Sequence, residues 1–317
     1  MAGGAEAGSG GNGMTKNIFI FGAGYSGRAF AAMKPMDAAI AGTTRAPERF
    51  EALRRAGIAP HLFDGRSLSP EVADALGDTT HLVISAAPDD DGDPVLAAAA
   101  ETIRTAMPHL EWIGYLSTVG VYGDHGGGWV DESSECRPVS ARSRARLAAE
   151  NAWLALGEET GIPVAVLRLS GIYGPGRNAC VNLEAGSAKR LIKAGQVFNR
   201  IHVDDIGGVL WHLVGSNSGG VFNVTDDEPA PPQDVVTFAA QLMGVEPPDE
   251  IPFATAQLSP MARSFYGENK RVSNARIKAT GYRFRFPDYR SAFEAMWRES
   301  RWRGEGPADA RSPMRKG

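Results

Sequence analysis

Cysteine is almost missing from this 317-residue chain. Cys136 and Cys180 are its only two, too few for a disulfide framework, so a reduced, cytoplasmic protein is the expectation. Charge of one sign is missing as well: 33 Lys+Arg against 37 Asp+Glu leave a formal charge of −4. That balance recommends neither nucleic acid nor an anionic membrane as a partner. No apolar run approaches the roughly 18 residues that a membrane span needs. Residues 1–14 are rich in Gly, Ala and Ser without the apolar segment of a secretory signal. They are expected to be a disordered leader, and 303–317 a disordered polar tail. Tyrosine is absent between residues 123 and 172, an absence that bears on chemistry below.

What is present is an ordinary globular composition, 43% hydrophobic and 22% charged, organised around residues 16–28. Ile18, Phe19, Ile20 and Phe21 read as a buried parallel strand. Gly22, Gly24 and Gly27 follow in G-x-G-x-x-G spacing and open a helix. Strand, glycine turn and helix in that order predict dinucleotide binding. The first glycine permits the tight turn, the second lets backbone approach a pyrophosphate, and the third lets helix pack on strand. Unpaired N–H groups and the positive dipole end of the helix then face the phosphates, so Tyr25 and Ser26 join the cofactor-binding set.

Further along, Ala38–Thr43 reads as a second strand ending in Thr44 and Arg45. An acidic residue at such a strand end would bind the ribose 2′-OH, whereas arginine accommodates a 2′-phosphate, so the sequence favours NADP over NAD. Helices are expected over 48–56, 70–76, 94–107 and 140–156, with strands at 58–63, 81–85, 111–117 and 164–169. Asp89–Asp93 lacks the spaced ligands of a calcium loop and reads as a turn capping the helix that follows. This alternation predicts a doubly wound parallel sheet with ligands at the carboxyl ends of its strands. Past residue 175 the rhythm changes, with helical stretches expected near 183–194, 203–214, 232–243 and 288–299. A smaller substrate-side lobe over 176–302 is expected, with 201–225 returning to the dinucleotide-binding domain of 15–175.

Five stretches in order resemble the extended short-chain dehydrogenase/reductase superfamily, in its NAD-dependent epimerase/dehydratase branch. They are Phe21–Gly27 (FGAGYSG), Leu116–Gly123 (LSTVGVYG), Arg168–Gly176 (RLSGIYGPG), Ile201–Ile206 (IHVDDI) and Phe222–Thr225 (FNVT). The glycine spacing departs from the branch's usual G-x-x-G-x-x-G and points to its atypical, YeeZ-like members. The resemblance implies a Rossmann-type α/β fold with a smaller C-terminal α/β lobe. It also implies that Asp64 and Gly65 meet the adenine and that Ser85, Ala86 and Ala87 line the cofactor groove. Gly171 and Ile172 would then pass beside the nicotinamide. Ser117 or Thr118 would face a small-molecule substrate at the nicotinamide end. Tyr173 is a further substrate-side candidate, and Arg177 and Asn178 with Arg142 and Arg146 read as a basic side of the cleft for an anionic substrate if they converge. A homodimer through the helices 94–107 and 140–156 is the family's habit. No metal is expected: His202, Asp204 and Asp205 have no further His or Cys nearby, and the two carboxylates are expected to cap a helix.

The departure from the family lies in the helix that should carry Tyr-x-x-x-Lys. Alignment on Pro138 and Glu150 puts Arg142 at the Tyr position and Arg146 at the Lys position. Arginine is too basic to serve as a proton donor, although Arg146 can still contact ribose or phosphate. One reading is an NADP-dependent oxidoreductase or epimerase on a small polar or anionic substrate. Its acid would come from elsewhere, Tyr122, Tyr173 and His202 being candidates. The alternative is an NADPH-binding sensor or regulator without turnover.

Overall fold

The computed structural model describes residues 15–304 apart from Asp90, residues 259–262 and Ser264. The expected leader, and the expected tail beyond Gly304, lie outside the described residues.

Seven strands make one wholly parallel sheet. They are β1 (Lys16–Phe21), β2 (Ala38–Thr44), β3 (Ala59–Leu62), β4 (His81–Ile84), β5 (Trp112–Thr118), β7 (Val164–Leu169) and β11 (Gly220–Val224). Their spatial order is β11-β7-β5-β4-β1-β2-β3, the Rossmann-type order in which the chain winds outward from β1 in both directions. Buried on both faces, these strands read as nearly continuous apolar runs, as a helix-covered parallel sheet requires.

One face is covered by α1 (Tyr25–Ala32) and α7 (Val203–Ser216). These helices cross closely enough that a Cβ on Gly207 would lie 3.1 Å from the carbonyl oxygen of Ala29. Trp211 stacks on Phe30 with centroids 4.4 Å apart and donates its indole N–H to the Phe30 carbonyl at 2.8 Å. The other face is covered by α3 (Pro70–Gly77), α4 (Pro94–Thr105) and α5 (Ala141–Thr160). Asp93 caps α4 by accepting from the N–H groups of Val95 and Leu96 at 2.9 and 3.0 Å. Ser140 caps α5, and Gly161 ends it in the left-handed region at φ 73°.

Two expected helices differ from what forms. The stretch 48–56 begins as a 3-10 turn at Pro47–Arg49 before α2 (Phe50–Arg55). Residues 183–194 divide: α6 (Ala179–Glu184) stops early, and Arg190–Ile192 is strand β9, paired in parallel with β12 (Glu250–Pro252). Gly186 takes φ 65° after α6, and Leu191 is buried in a small cluster with Tyr266 and Ala256. Tertiary partners distant in sequence thus override the local helical pattern. Two further parallel pairs, β8 (Gly171–Tyr173) with β10 (Arg200–His202) and β6 (Trp129–Val130) with β13 (Arg271–Val272), extend the carboxyl edge of the sheet. Helices α8 (Pro232–Met243), α9 (Ala275–Ala279) and α10 (Tyr289–Arg298) complete the C-terminal half. There α8 and α10 pack with Tyr173, Phe286 and Trp302 in a separate apolar cluster.

Candidate functional site

The glycine loop is stapled to its neighbours along the carboxyl edge of the sheet. Gly22 N–H donates to Thr43 Oγ1 at 2.9 Å, and Ala23 N–H donates to the Thr43 carbonyl at 2.8 Å. Ser85 and Ala86 donate their N–H groups to the Phe21 carbonyl at 2.8 and 3.0 Å, which folds the end of β4 against the loop. Gly22, at φ 83°, sits so close that a Cβ would lie 2.9 Å from Ala86 N. Gly27 packs on Ile20, where a Cβ would meet Cγ2 at 3.4 Å. Gly24 is different: its nearest neighbour would be the loop's own Gly22 carbonyl at 3.9 Å. Gly24 is also the N-cap of α1, with no side-chain capping bond and no acidic residue in the first turn. The backbone N–H groups at this helix start are therefore free to meet an anion. Tyr25 is half-buried and Ser26 buried beside them.

At the ends of β2 and β3, Arg45 is exposed, and its Nη2 would lie 3.5 Å from a Cβ on Gly65. Thr44 Oγ1 accepts from Ala46 N–H at 3.2 Å, which shapes the turn carrying Arg45. Asp64 Oδ1 accepts from Arg66 N–H at 2.8 Å, and this backbone bond leads the effects that hold its carboxyl below the usual range. Thr44, Arg45, Asp64 and Gly65 thus come together at one corner of the sheet edge. Ala87 continues the edge from β4 and is exposed.

At the end of β5 the expected residues part company. Thr118 is half-buried, and its Oγ1 accepts from Gly120 N–H at 3.1 Å. Ser117 points inward, where its hydroxyl donates to Glu150 Oε1. Glu150 in turn holds Arg168 through Nη2 to Oε2 at 2.7 Å, with both side chains buried. The Arg168 guanidinium lies 4.9 Å from the centre of the Tyr122 ring, and the Tyr122 hydroxyl donates to Asn223 Oδ1 at 2.7 Å. Burial pushes the Tyr122 hydroxyl up to about 12. Ser117 and Tyr122, expected toward substrate, are therefore placed in a buried polar network between β5, β7 and α5. Arg142 is exposed and makes no hydrogen bond or ion pair among the described residues. Arg146 is engaged from behind: its Nη1 donates to the Leu116 carbonyl and to Tyr115 Oη, the latter at 3.3 Å.

On the far side of the edge, Gly171 is exposed and Ile172 half-buried. Tyr173 and Asn178, expected at the substrate, turn inward. Tyr173 stacks on Phe293 with centroids 5.8 Å apart. Asn178 caps α6 through Oδ1 to Val181 N–H at 3.1 Å, and its Nδ2 donates to the Gly174 and Trp302 carbonyls at 2.8 and 2.7 Å. Arg177 alone of the three is exposed. The expected capping by Asp204 and Asp205 is also corrected, because His202 caps α7 through Nδ1, which accepts from Asp204 N–H at 3.2 Å. Asp205 instead accepts from Arg285 N–H, Phe286 N–H and the Tyr282 hydroxyl at 2.7, 3.0 and 2.9 Å. Asp204 pairs with Arg285 at 3.2 Å. These carboxylates are drawn to unpaired donors on a segment about eighty residues later, which no local pattern reveals.

His202 is itself buried, and burial pushes its pKa down to about 4, with the Asp204 charge opposing. The unfolded chain, with a histidine near 6.5, takes up a proton that the folded chain refuses between about pH 6.5 and 4. Stability should therefore fall as pH drops through that window. Asp205 and Asp226, whose carboxyls burial raises, act in the opposite sense, so a variant comparison is needed. Thermal denaturation between about pH 7 and 4.5 should show a smaller decline in His202→Gln than in the native chain. Equal declines would clear His202 of the effect.

Two residues near the edge carried no sequence signal. Arg28, in the first turns of α1, is exposed, and it and Arg177 both act electrostatically on the Tyr25 hydroxyl. Lys270 is buried and donates to the Gly123 carbonyl at 2.7 Å and to Glu268 Oε2 at 2.6 Å, pinning the loop after β5. Among the described residues no helix is long and apolar enough to cross a membrane, and no group of His, Cys, Asp and Glu could hold a metal ion.

Residues 95–225 match the model of the NAD dependent epimerase/dehydratase family. Protein YeeZ of Escherichia coli (strain K12) is 30% identical over 288 residues, covering 86% of this chain and 97% of YeeZ. A structure described as a functionally unknown conserved protein from Silicibacter pomeroyi DSS is 46% identical. Its TM-score is 0.81, with 90% of this chain and 99% of that one covered. The human epimerase family protein SDR39U1, solved with NADPH, is 19% identical with a TM-score of 0.67, covering 89% and 99% of the two chains. At that identity the likeness is one of fold.

Proposed function

We propose, from the premise that this chain belongs to the NAD-dependent epimerase/dehydratase family of extended short-chain dehydrogenase/reductases, that it binds NADP and acts as an oxidoreductase or epimerase on a small polar or anionic substrate. The observation that carries this reading is the start of α1, where Gly24 is open and no side chain caps the helix. A dinucleotide pyrophosphate fits that arrangement, since its oxygens can accept from the free N–H groups in line with the helix dipole. Gly22 is pressed against the end of β4, so the loop cannot retreat, and Ser85 to Ala87 form a thin wall beside it. Arg45 and Thr44, with Asp64 and Gly65, would hold the adenosine end, and Gly171 and Ile172 would flank the nicotinamide end. On this reading residues 15–175, rejoined by 201–225, form the dinucleotide half, and 176–302 mainly the substrate lobe.

Bound NADP would supply hydride transfer; the proton is the chain's problem. Thr118 is the half-buried hydroxyl at the carboxyl end of β5 and is suited to orient a substrate oxygen or a water. Tyr122 is buried and raised to about 12, far from the near-neutral value that suits a general acid. Arg142 can bind an anion but cannot donate the proton. The engagement of Arg146 with β5, together with the burial of Ser117 and Tyr122, favours a second reading, an NADPH-binding sensor without turnover.

Titration of the protein with NADPH and NADH, followed by fluorescence and thermal shift, tests the first half. NADPH should bind at least about tenfold more tightly than NADH, the equivalent of about 1.4 kcal/mol. Absence of binding by both would end the enzyme and sensor readings together. With binding in hand, turnover of aldehydes, ketones or nucleotide sugars separates the two.

A further inference from the structure

The turn Gly174–Arg177 is held from two sides. Its own bonds are reciprocal, Gly174 N–H to the Arg177 carbonyl and Arg177 N–H to the Gly174 carbonyl, each at 3.0 Å. From behind, the buried Asn178 amide donates to the Gly174 carbonyl at 2.8 Å, and Gly176 N–H donates to the Trp302 carbonyl at 2.9 Å. From in front, the hydroxyl of Tyr25, first residue of α1, donates to the Pro175 carbonyl at 3.0 Å. The approach is tight enough that a Cβ on Gly174 would lie 2.6 Å from that hydroxyl. Arg177 is thus carried to the phosphate-facing end of α1, exposed and without an ion pair among the described residues. Its charge and that of Arg28 both reach the Tyr25 hydroxyl. The opposing charge nearby, Asp204, is paired with Arg285 at 3.2 Å.

We infer that Arg177 grips the pyrophosphate of the bound dinucleotide, and that the Tyr25–Pro175 hydrogen bond holds it in place to do so. This rests on the dinucleotide-binding reading above and moves Arg177 from the substrate to the cofactor. A guanidinium matches the paired oxygens of a phosphate, whereas lysine offers only a point charge. The contact is to the part that NADPH, NADH and ADP-ribose share, so all three should feel it alike.

The test is fluorescence and calorimetric titration of the native chain, Arg177→Ala, Arg177→Lys and Tyr25→Phe with NADPH, NADH, ADP-ribose and 2′-AMP. Arg177→Ala should weaken the first three by a similar factor, about tenfold or more, the usual effect of losing a hydrogen bond to a charged group. Binding of 2′-AMP, which lacks a pyrophosphate, should change little. Arg177→Lys should recover part of the loss, and Tyr25→Phe should show a smaller loss in the same three ligands. Arg177 is exposed, so an unchanged melting temperature is expected and confirms folding. If the native chain binds dinucleotide and Arg177→Ala binds it equally well, this inference fails and the dinucleotide reading stands. Unaltered cofactor affinity with a raised KM for an anionic substrate would return Arg177 to the substrate. If the native chain binds no dinucleotide, the underlying reading fails.

Discussion

Glu150→Ala should lower the melting temperature by roughly 5–8 °C, from a loss of about 3–5 kcal/mol. The cause is what it leaves behind. Arg168 donates to Glu150 through both Nε and Nη2, the shorter bond at 2.7 Å, and its side chain is 7% exposed. Burial alone would lower the Arg168 pKa, and the bonds and charge of Glu150 more than reverse this. Without Glu150 the guanidinium loses the carboxylate it is paired with while staying almost wholly buried, and its Nη1 already lacks a partner. The Ser117 hydroxyl loses its acceptor as well. A buried pair of this kind contributes little beyond what apolar packing would, because both charges must first be desolvated. Glu150→Leu combined with Arg168→Leu should therefore recover most of the stability that Glu150→Ala loses. Thermal denaturation of the single and double variants checks this, and a double variant as unstable as Glu150→Ala would refute it.

The same network explains why the sheet could be read from the sequence and much of the site could not. A strand buried on both faces declares itself in its own residues, as Ile18–Phe21 and Val164–Leu169 do. The glycine loop is legible from its own spacing, since Gly24 and Gly27 meet neighbours within the strand, turn and helix that contain them, although Gly22 is pressed against Ala86 at the end of β4. The direction in which a side chain turns at a strand end is set by distant partners. Ser117 faces Glu150, Tyr122 faces Asn223, and Asn178 faces Trp302, separations of 33, 101 and 124 residues. The motif that carries Ser117 and Tyr122 matches the family, yet a motif cannot say which of two adjacent hydroxyls points out, and here Thr118 is the more exposed of the pair. For the same reason Asp204 and Asp205 resembled helix caps, until the donors of residues 282–286 claimed them. Residues 183–194 misled differently: their helical pattern is real, but β12 provides a partner that local propensity cannot anticipate.

Arg45→Ala should weaken NADPH binding by about ten- to a hundredfold while changing NADH binding by no more than about twofold. The two cofactors differ only in the ribose 2′-phosphate, so a residue that contacts this group alone must separate them. Arg45 stands where β2 ends, exposed, with Gly65 beneath its Nη2. No carboxylate occupies the Thr43-Thr44-Arg45 strand end, so nothing there would bind a free 2′-OH or repel a phosphate. The nearby Asp64 has its Oδ1 committed to the Arg66 and Ser67 N–H groups, at 2.8 and 3.5 Å. The proposed preference for NADPH should also shrink as salt rises, because an exposed guanidinium is screened within about 10 Å at 0.1 M ionic strength. Replacing Arg45 with Asp should go further, repelling the 2′-phosphate while offering an acceptor to the 2′-OH, so that NADH becomes the tighter ligand. Titration of the native chain and both variants with both cofactors decides it. Equal losses for NADPH and NADH in Arg45→Ala would place Arg45 on a shared part of the dinucleotide, and a native chain that prefers NADH would overturn the NADP assignment itself.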